Sequence, residues 1–163
     1  MKRVVIVSDT HVPSRTSAVP EWVRREVRAA DHVIHAGDFD TPEAYEEFRD
    51  LAGEFTAVAG NNDPDSLGLS PVEVVRIEGV EFFVAHHRTT GRARRPDGRG
   101  DEEADVRVFG HTHQTLDTVS DGVRVVNPGS CTAAWPSYRE TVMVATVDGG
   151  EVDVETLSEP FEG

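Results

Sequence analysis

The first sixty residues alternate three short apolar runs with two stretches of helical character, and this alternation constrains the fold more than any other feature of the chain. Within residues 2 to 8, Val4-Val5-Ile6-Val7 forms a continuous apolar run, which ends at Ser8-Asp9. Val33-Ile34-His35-Ala36 forms a second run ending in Gly37-Asp38, and Glu54 to Ala59 a third ending at Gly60. Continuous apolar runs bounded by turn residues read as strands buried on both faces. Between them, Pro20 to Ala30 and the segment from Thr41 read as helices. Proline stands in the first turn of each, acids follow early, and Thr41 is placed as an N-cap. The resulting β-α-β-α-β order predicts a parallel sheet covered by helices.

After residue 70 the pattern changes. Val72–Ile77 and Val80–Ala85 are split by Glu78-Gly79, Thr115–Val119 and Val123–Val126 by Ser120-Asp121-Gly122, and Thr141–Val147 and Glu151–Leu157 by Asp148-Gly149-Gly150. Each is a hairpin signal, so the second half is expected to be mostly antiparallel. With Val106–Phe109 as a further strand, the predicted fold is a mixed α/β (α+β) four-layer α-β-β-α sandwich, two mixed sheets flanked by helices. No linker or repeat divides the 163 residues, so one domain over 1–163 is expected. Arg88 to Asp105 fits no element. It holds three glycines, a proline and five arginines, and reads as a loop.

Composition limits what the chain binds. Thirty acidic residues face sixteen basic ones, a formal charge of −14, and Lys2 is the sole lysine. That balance opposes nucleic acid or an anionic membrane as a general partner. The acids are scattered rather than blocked, which reads as a hydrated surface adapted to high salt. No run approaches a membrane span, and the apolar run after Met1-Lys2-Arg3 is too short for a signal sequence. One cysteine, Cys131, leaves no internal disulfide and fits the reducing cytoplasm, the expected location.

Five segments directly after predicted strands carry chemistry: Asp9-Thr10-His11, Gly37-Asp38, Gly60-Asn61-Asn62-Asp63, His86, and Gly110-His111-Thr112-His113. Strand C-terminal ends are where open sheets gather ligands from several loops. Carboxylates, imidazoles and an amide oxygen suit borderline to hard divalent cations, and two such ions held close together clamp a phosphate ester for in-line hydrolysis. Asp9 and His11, two apart in extended chain, are placed to grip one ion. Asp38, with two oxygens, is placed to bridge both. His111 and His113 are placed to serve different ions. His35 and His32 read as core and surface residues, Trp22 and Trp135 as packing residues, with Trp135, after the Asn-Pro-Gly-Ser turn, also placed to border the site mouth, and Asp40 as a neighbour of the ligands or of solvent. Cys131 lacks any positioned base that would make it a nucleophile.

The set Asp-x-His, Gly-Asp, Gly-Asn-x-Asp, His and Gly-His-x-His resembles the calcineurin-like metallophosphoesterase superfamily. Together with Asn127-Pro128-Gly129-Ser130, it is similar to the small single-domain phosphodiesterase branch of bacteria and archaea, over residues 2 to 148. The resemblance implies one ion on Asp9, His11, Asp38 and His113 and another on Asp38, Asn61, His86 and His111, with Asp38, Asn61 and His86 carried over as catalytic. It implies a metal-bridging hydroxide as nucleophile and a small or nucleotide-like phosphate ester as substrate. Manganese is the first candidate, with nickel, zinc, iron and magnesium behind it. A dimer or tetramer is expected by resemblance alone. Two positions depart from the pattern. Asn62 stands where larger members carry a histidine that protonates the leaving group, and His86-His87-Arg88 replaces the branch's His-Gly-His. His87 is thereby a candidate proton donor, and Arg88, Arg92, Arg94 and Arg95 are candidates to reach a phosphate. The same resemblance carries a second reading, a non-catalytic metal-binding scaffold, because a eukaryotic retromer subunit similar to this branch uses the fold as a protein-binding platform.

Overall fold

The computed structural model describes residues 1–88 and 103–160. The first sheet is built from β1 (Lys2–Val7), β2 (His32–His35), β3 (Glu54–Ala57), β9 (Arg139–Asp148) and β10 (Glu151–Pro160), in the order β10-β9-β1-β2-β3. β1, β2 and β3 run parallel, in register from Val4 against His32 and from His32 against Glu54. The crossovers between them are α1 (Glu21–Ala29) and α2 (Pro42–Leu51). Thr41 caps α2 as expected, its side chain accepting from the Ala44 N–H, with Pro42 at the first position.

The second sheet contains β4 (Val72–Ile77), β5 (Val80–Ala85), β6 (Val106–Val108), β7 (Thr115–Ser120) and β8 (Val123–Pro128), in the order β4-β5-β6-β8-β7. All three predicted hairpins form, and each turn has positive φ at two successive residues: Glu78-Gly79, Asp121-Gly122 and Gly149-Gly150. That is the type I′ geometry matched to strand twist. The second half is nonetheless less antiparallel than its hairpins suggested, because β5, β6 and β8 pair in parallel at the sheet's centre. The hairpins fix only local partners. The long connections between them return the chain to the same end of the sheet, and this sets the central direction.

Alternate residues of β1 explain the layering. Val4 and Ile6 face the second sheet, packing with Phe82, Val84, Val106, Val108 and Met143. Val5 and Val7 face the other way, onto Val23 and Val27 of α1 and Phe48 of α2. Both helices among the described residues therefore cover the first sheet. The outer face of the second carries a smaller cluster around Phe83, Phe109 and Val125. No helix among these residues is long and apolar enough to cross a membrane. Arg92, Arg94 and Arg95 lie outside the described residues.

The parallel strands of both sheets end at one edge of the sandwich. β1, β2 and β3 there release Asp9, Asp38 and Asn61, while β5 and β6 release His86 and His111.

Candidate metal centre

The loops that leave these strands are held in unusual backbone shapes. Asp9 (φ 53°), His11 (48°), Asp38 (68°), His111 (73°) and His113 (63°) all occupy the left-handed region, which costs a residue with a side chain about 1–2 kcal/mol. The expectation of an extended Asp9-Thr10-His11 is thus corrected, since the two side chains share one side through left-handed turns. Two glycines permit the crowding. A Cβ on Gly60 would overlap Asp38 Oδ1, and one on Gly110 would overlap Ser8 Oγ and approach Asp9 Oδ2 at 2.9 Å.

Asp63 secures the second loop. Its Oδ2 accepts the N–H groups of Asp38 (2.9 Å) and Gly60 (2.7 Å), and its Oδ1 those of Phe39 (2.7 Å) and Asp40 (3.0 Å). One carboxylate thereby fixes the turn that presents Asp38 and ties it to the strand that presents Asn61. The first loop is fastened from the far side of the chain, where the Ser130 hydroxyl donates to the Asp9 carbonyl at 2.7 Å.

The imidazoles converge with their Nε2 atoms. In His11, Nδ1 faces the Asp40 carboxylate at 2.9 Å. In His86 it faces the Ala36 carbonyl at 2.7 Å, and in His113 the carbonyls of Ala134 (3.1 Å) and Trp135 (3.0 Å). Each Nδ1 meets an acceptor and so carries its proton there, leaving the Nε2 lone pair free to bind a cation. The Nε2 atoms of His11 and His113 stand 3.1 Å apart. His113 Nε2 lies 3.4 Å from Asp9 Oδ1, and Asp38 Oδ2 lies 3.4 Å from His11 Nε2 and 3.2 Å from His86 Nε2. Asp9 Oδ2 is satisfied by the Ser8 hydroxyl (2.8 Å) and the His111 N–H (3.0 Å). Asp9 Oδ1 and His86 Nε2, both buried, have no hydrogen-bond partner among the described residues. A buried carboxylate oxygen and a buried imidazole nitrogen left bare and aimed at a common point are costly unless a cation lies between them. The residues fit divalent metal.

Two groupings emerge, Asp9 with His11 and His113, and Asp9 with Asp38 and His86. Asn61 and His111 adjoin the second, with Asn61 Oδ1 at 3.2 Å from His111 Nδ1. All seven residues expected as ligands are therefore gathered at one edge, and His111 and His113 fall to different sides. A third acidic grouping, Asp38, Asp40 and Asp63, is explained by the backbone and imidazole contacts above.

Charge follows the same geometry. Burial pushes the Asp9 carboxyl up, but His11, His113 and His86 together carry it well below the usual carboxylate range. Burial pushes His86 and His113 down, and this is more than reversed by Asp38 and Asp9 at His86 and by Asp9 with the Trp135 and Ala134 carbonyls at His113, raising both. Without metal the cluster thus tends to hold protons, which a cation must displace.

Asn62 donates twice to Asp38, from its N–H to Oδ1 (2.9 Å) and from Nδ2 to Oδ2 (3.0 Å). His87 is exposed, its ring 4.7 Å from that of His111. Arg88 lies over the Phe109 ring at 5.9 Å. His35 is core, as expected. Of the two places expected for Trp135, packing is corrected, since the residue is 79% exposed, and it stands beside the centre, where its carbonyl meets His113 Nδ1. Asp40, expected beside the ligands or in solvent, stands against His11, and the carbonyls of Ala134 and Trp135 are the contributors the sequence left unassigned. A carboxylate two residues after Asp38 was a visible signal, whereas a carbonyl has none.

Residues 1–150 match the family model for the calcineurin-like phosphoesterase superfamily domain. A probable metallophosphoesterase of Methanothermobacter thermautotrophicus is 32% identical over 157 residues, 93% of this chain and 90% of that protein. A phosphodiesterase of Methanocaldococcus jannaschii is 30% identical over 146 residues, 79% of this chain and 84% of its own. Among solved structures, Vps29 of Chaetomium thermophilum aligns with a TM-score of 0.79 over 98% of this chain and 99% of that one, at 18% identity, a likeness of fold alone. With the family match spanning residues 1–150 and a relative 32% identical over nearly the whole chain, the protein belongs to the calcineurin-like phosphoesterase superfamily.

Proposed function

We propose that the chain is a single-domain, binuclear metal-dependent phosphodiesterase acting on a small or nucleotide-like phosphate ester. The observation that carries this reading is the convergence of the Asp9 and Asp38 carboxylates on three imidazoles, with Asp38 Oδ2 at 3.4 Å from His11 Nε2 and 3.2 Å from His86 Nε2, where a carboxylate shared by two ions would lie. The bound pair of divalent cations, manganese first among the candidates, supplies Lewis-acid activation of water and of the phosphoryl group. The ligand sets are Asp9, His11, Asp38 and His113 for one ion, and Asp38, Asn61, His86 and His111 for the other.

The chain's own residues orient and restrict. Asp40 and the Ala134 and Trp135 carbonyls keep the His11 and His113 protons on Nδ1. Asn62 steadies the shared carboxylate through its two N–H donations, and an amide has no proton to give a leaving group. Esters whose leaving groups depart as stable anions are therefore favoured. The charge of −14 favours a small substrate over a nucleic acid.

The test is hydrolysis of bis-p-nitrophenyl phosphate and p-nitrophenyl phosphate, each with manganese, nickel, zinc or chelator. Metal-dependent cleavage of the diester is expected, with loss of at least a hundredfold in Asp38→Asn as the shared negative charge disappears. Full activity in Asp38→Asn would refute the ligand assignment. No turnover with metals bound would point instead to a binding platform on the same fold.

A further inference from the structure

Two hollows flank the candidate metal pair. One, of about 280 Å³, is lined by Asn61, His86, His87 and His111. The other, of about 320 Å³, opens beside His113 and is lined by Gln114, Ser137, Tyr138 and Arg139 among others. A phosphodiester has two ester arms, and a clamp on its phosphorus sends one to either side, whereas a monoester has only one arm to place.

The hollow beside His113 is unlike the rest of the surface. Among the described residues, the large apolar side chains left exposed are Met1, Leu116, Val119, Trp135 and Tyr138. The two aromatic ones stand three residues apart in the loop that closes this hollow, Tyr138 at 88% exposure and Trp135 at 79%. Neither contributes to any of the three core clusters. Beside them Arg139, also exposed, supplies a cation in a strongly acidic chain. Among the described residues its guanidinium makes a long contact, 3.4 Å to Ser158 Oγ.

The loop's backbone is fixed. The Ala134 N–H donates to Ser130 Oγ at 2.9 Å and the Ser137 N–H to the Ala134 carbonyl at 2.9 Å. Arg15 donates to the Trp135 carbonyl at 3.1 Å. That same carbonyl holds His113, so the Tyr138 ring rides on a loop fastened directly to a candidate metal ligand. Exposed rings on a fixed support are what a flat aromatic ligand requires, since little ordering entropy remains to be lost on binding.

We propose that the hollow beside His113 is a subsite for an aromatic arm of the diester, the base of a nucleoside phosphodiester. Tyr138 is the stacking surface, and Gln114, Ser137 and Arg139 meet the polar edge of the arm. Stacking is tolerant of base identity, so the subsite selects a planar aromatic group rather than one base. This inference rests on the phosphodiesterase reading.

Two substrates with one leaving group separate the inference from that reading: thymidine 5′-(p-nitrophenyl) phosphate and ethyl p-nitrophenyl phosphate. Wild-type protein with manganese is expected to prefer the thymidine diester. In Tyr138→Leu the ratio of the two kcat/KM values falls about tenfold, through KM. Cleavage of both diesters by wild type, with a ratio that Tyr138→Leu does not move, overturns the subsite and leaves the phosphodiesterase reading standing. If neither diester is cleaved, that reading fails, and calorimetric binding of adenosine 5′-monophosphate decides the subsite. A Kd about tenfold weaker in Tyr138→Leu supports it, and equal binding overturns it.

Discussion

His35 sits behind the metal loops, fully buried, with its ring stacked on Phe39 at 3.7 Å between centroids. The Gly37 N–H donates to its Nδ1 at 3.0 Å, so its own proton lies on Nε2, directed at Thr10 Oγ1 at 2.8 Å. Burial pushes its pKa from the ordinary 6.5 down to about 3, so the folded protein holds it neutral. The unfolded chain accepts a proton there below 6.5 and the folded chain does not, so this residue's contribution is lost as pH falls from 6.5 toward 3. His35→Asn keeps an acceptor for Gly37 and removes the titration. In chelator-treated protein, urea unfolding from pH 7 to 4.5 is expected to show wild type losing on the order of 2 kcal/mol more than His35→Asn. A gap that stays constant with pH would contradict a neutral, buried ring. The place of His35 in the core was legible from its apolar neighbours. The tautomer was not, because it depends on Gly37 and Thr10 meeting the ring in three dimensions.

At the level of elements, the strands, helices and hairpins were legible because their causes are local: apolar runs, a threonine and proline at a helix start, two-residue turns containing glycine. The five ligand segments were legible for a related reason, since each closes a strand. The left-handed backbone at Asp9, His11, Asp38, His111 and His113 was not. It is imposed by distant clamps such as Asp63, whose four accepted N–H bonds span Asp38, Phe39, Asp40 and Gly60. Asp63→Ala leaves those donors without their carboxylate. The expected cost is about 3 kcal/mol or more in unfolding free energy, with reduced manganese content per chain by elemental analysis. Wild-type metal content in that variant would show that the loop holds its shape without Asp63.

Across the whole molecule, the excess of fourteen negative charges over 163 residues acts on stability more than on chemistry. Self-repulsion among scattered acids weakens as the Debye length shortens from about 10 Å at 0.1 M salt to about 3 Å at 1 M. The melting temperature is therefore expected to rise on going from 0.1 M to 2 M potassium chloride, as followed by circular dichroism with metal held constant. A flat response would remove the high-salt reading of the composition. The parallel core of the second sheet was the part of the architecture least visible in sequence, since β5, β6 and β8 are joined by long connections whose direction no local signal encodes.

The order of the strands has a consequence for the making of the protein. Every candidate ligand lies at or before His113, but β9, which pairs with β1 beneath Asp9, spans Arg139–Asp148, and Ser130, which fastens the Asp9 carbonyl, also comes later. In a chain synthesised from its N-terminus, the side chains that would take the ions emerge well before the strand that aligns them. If these residues take metal, capture is therefore expected only after the C-terminal hairpin has closed the first sheet. A nascent chain stalled before that hairpin would carry all seven candidate ligands without the strand and the Ser130 contact that align Asp9.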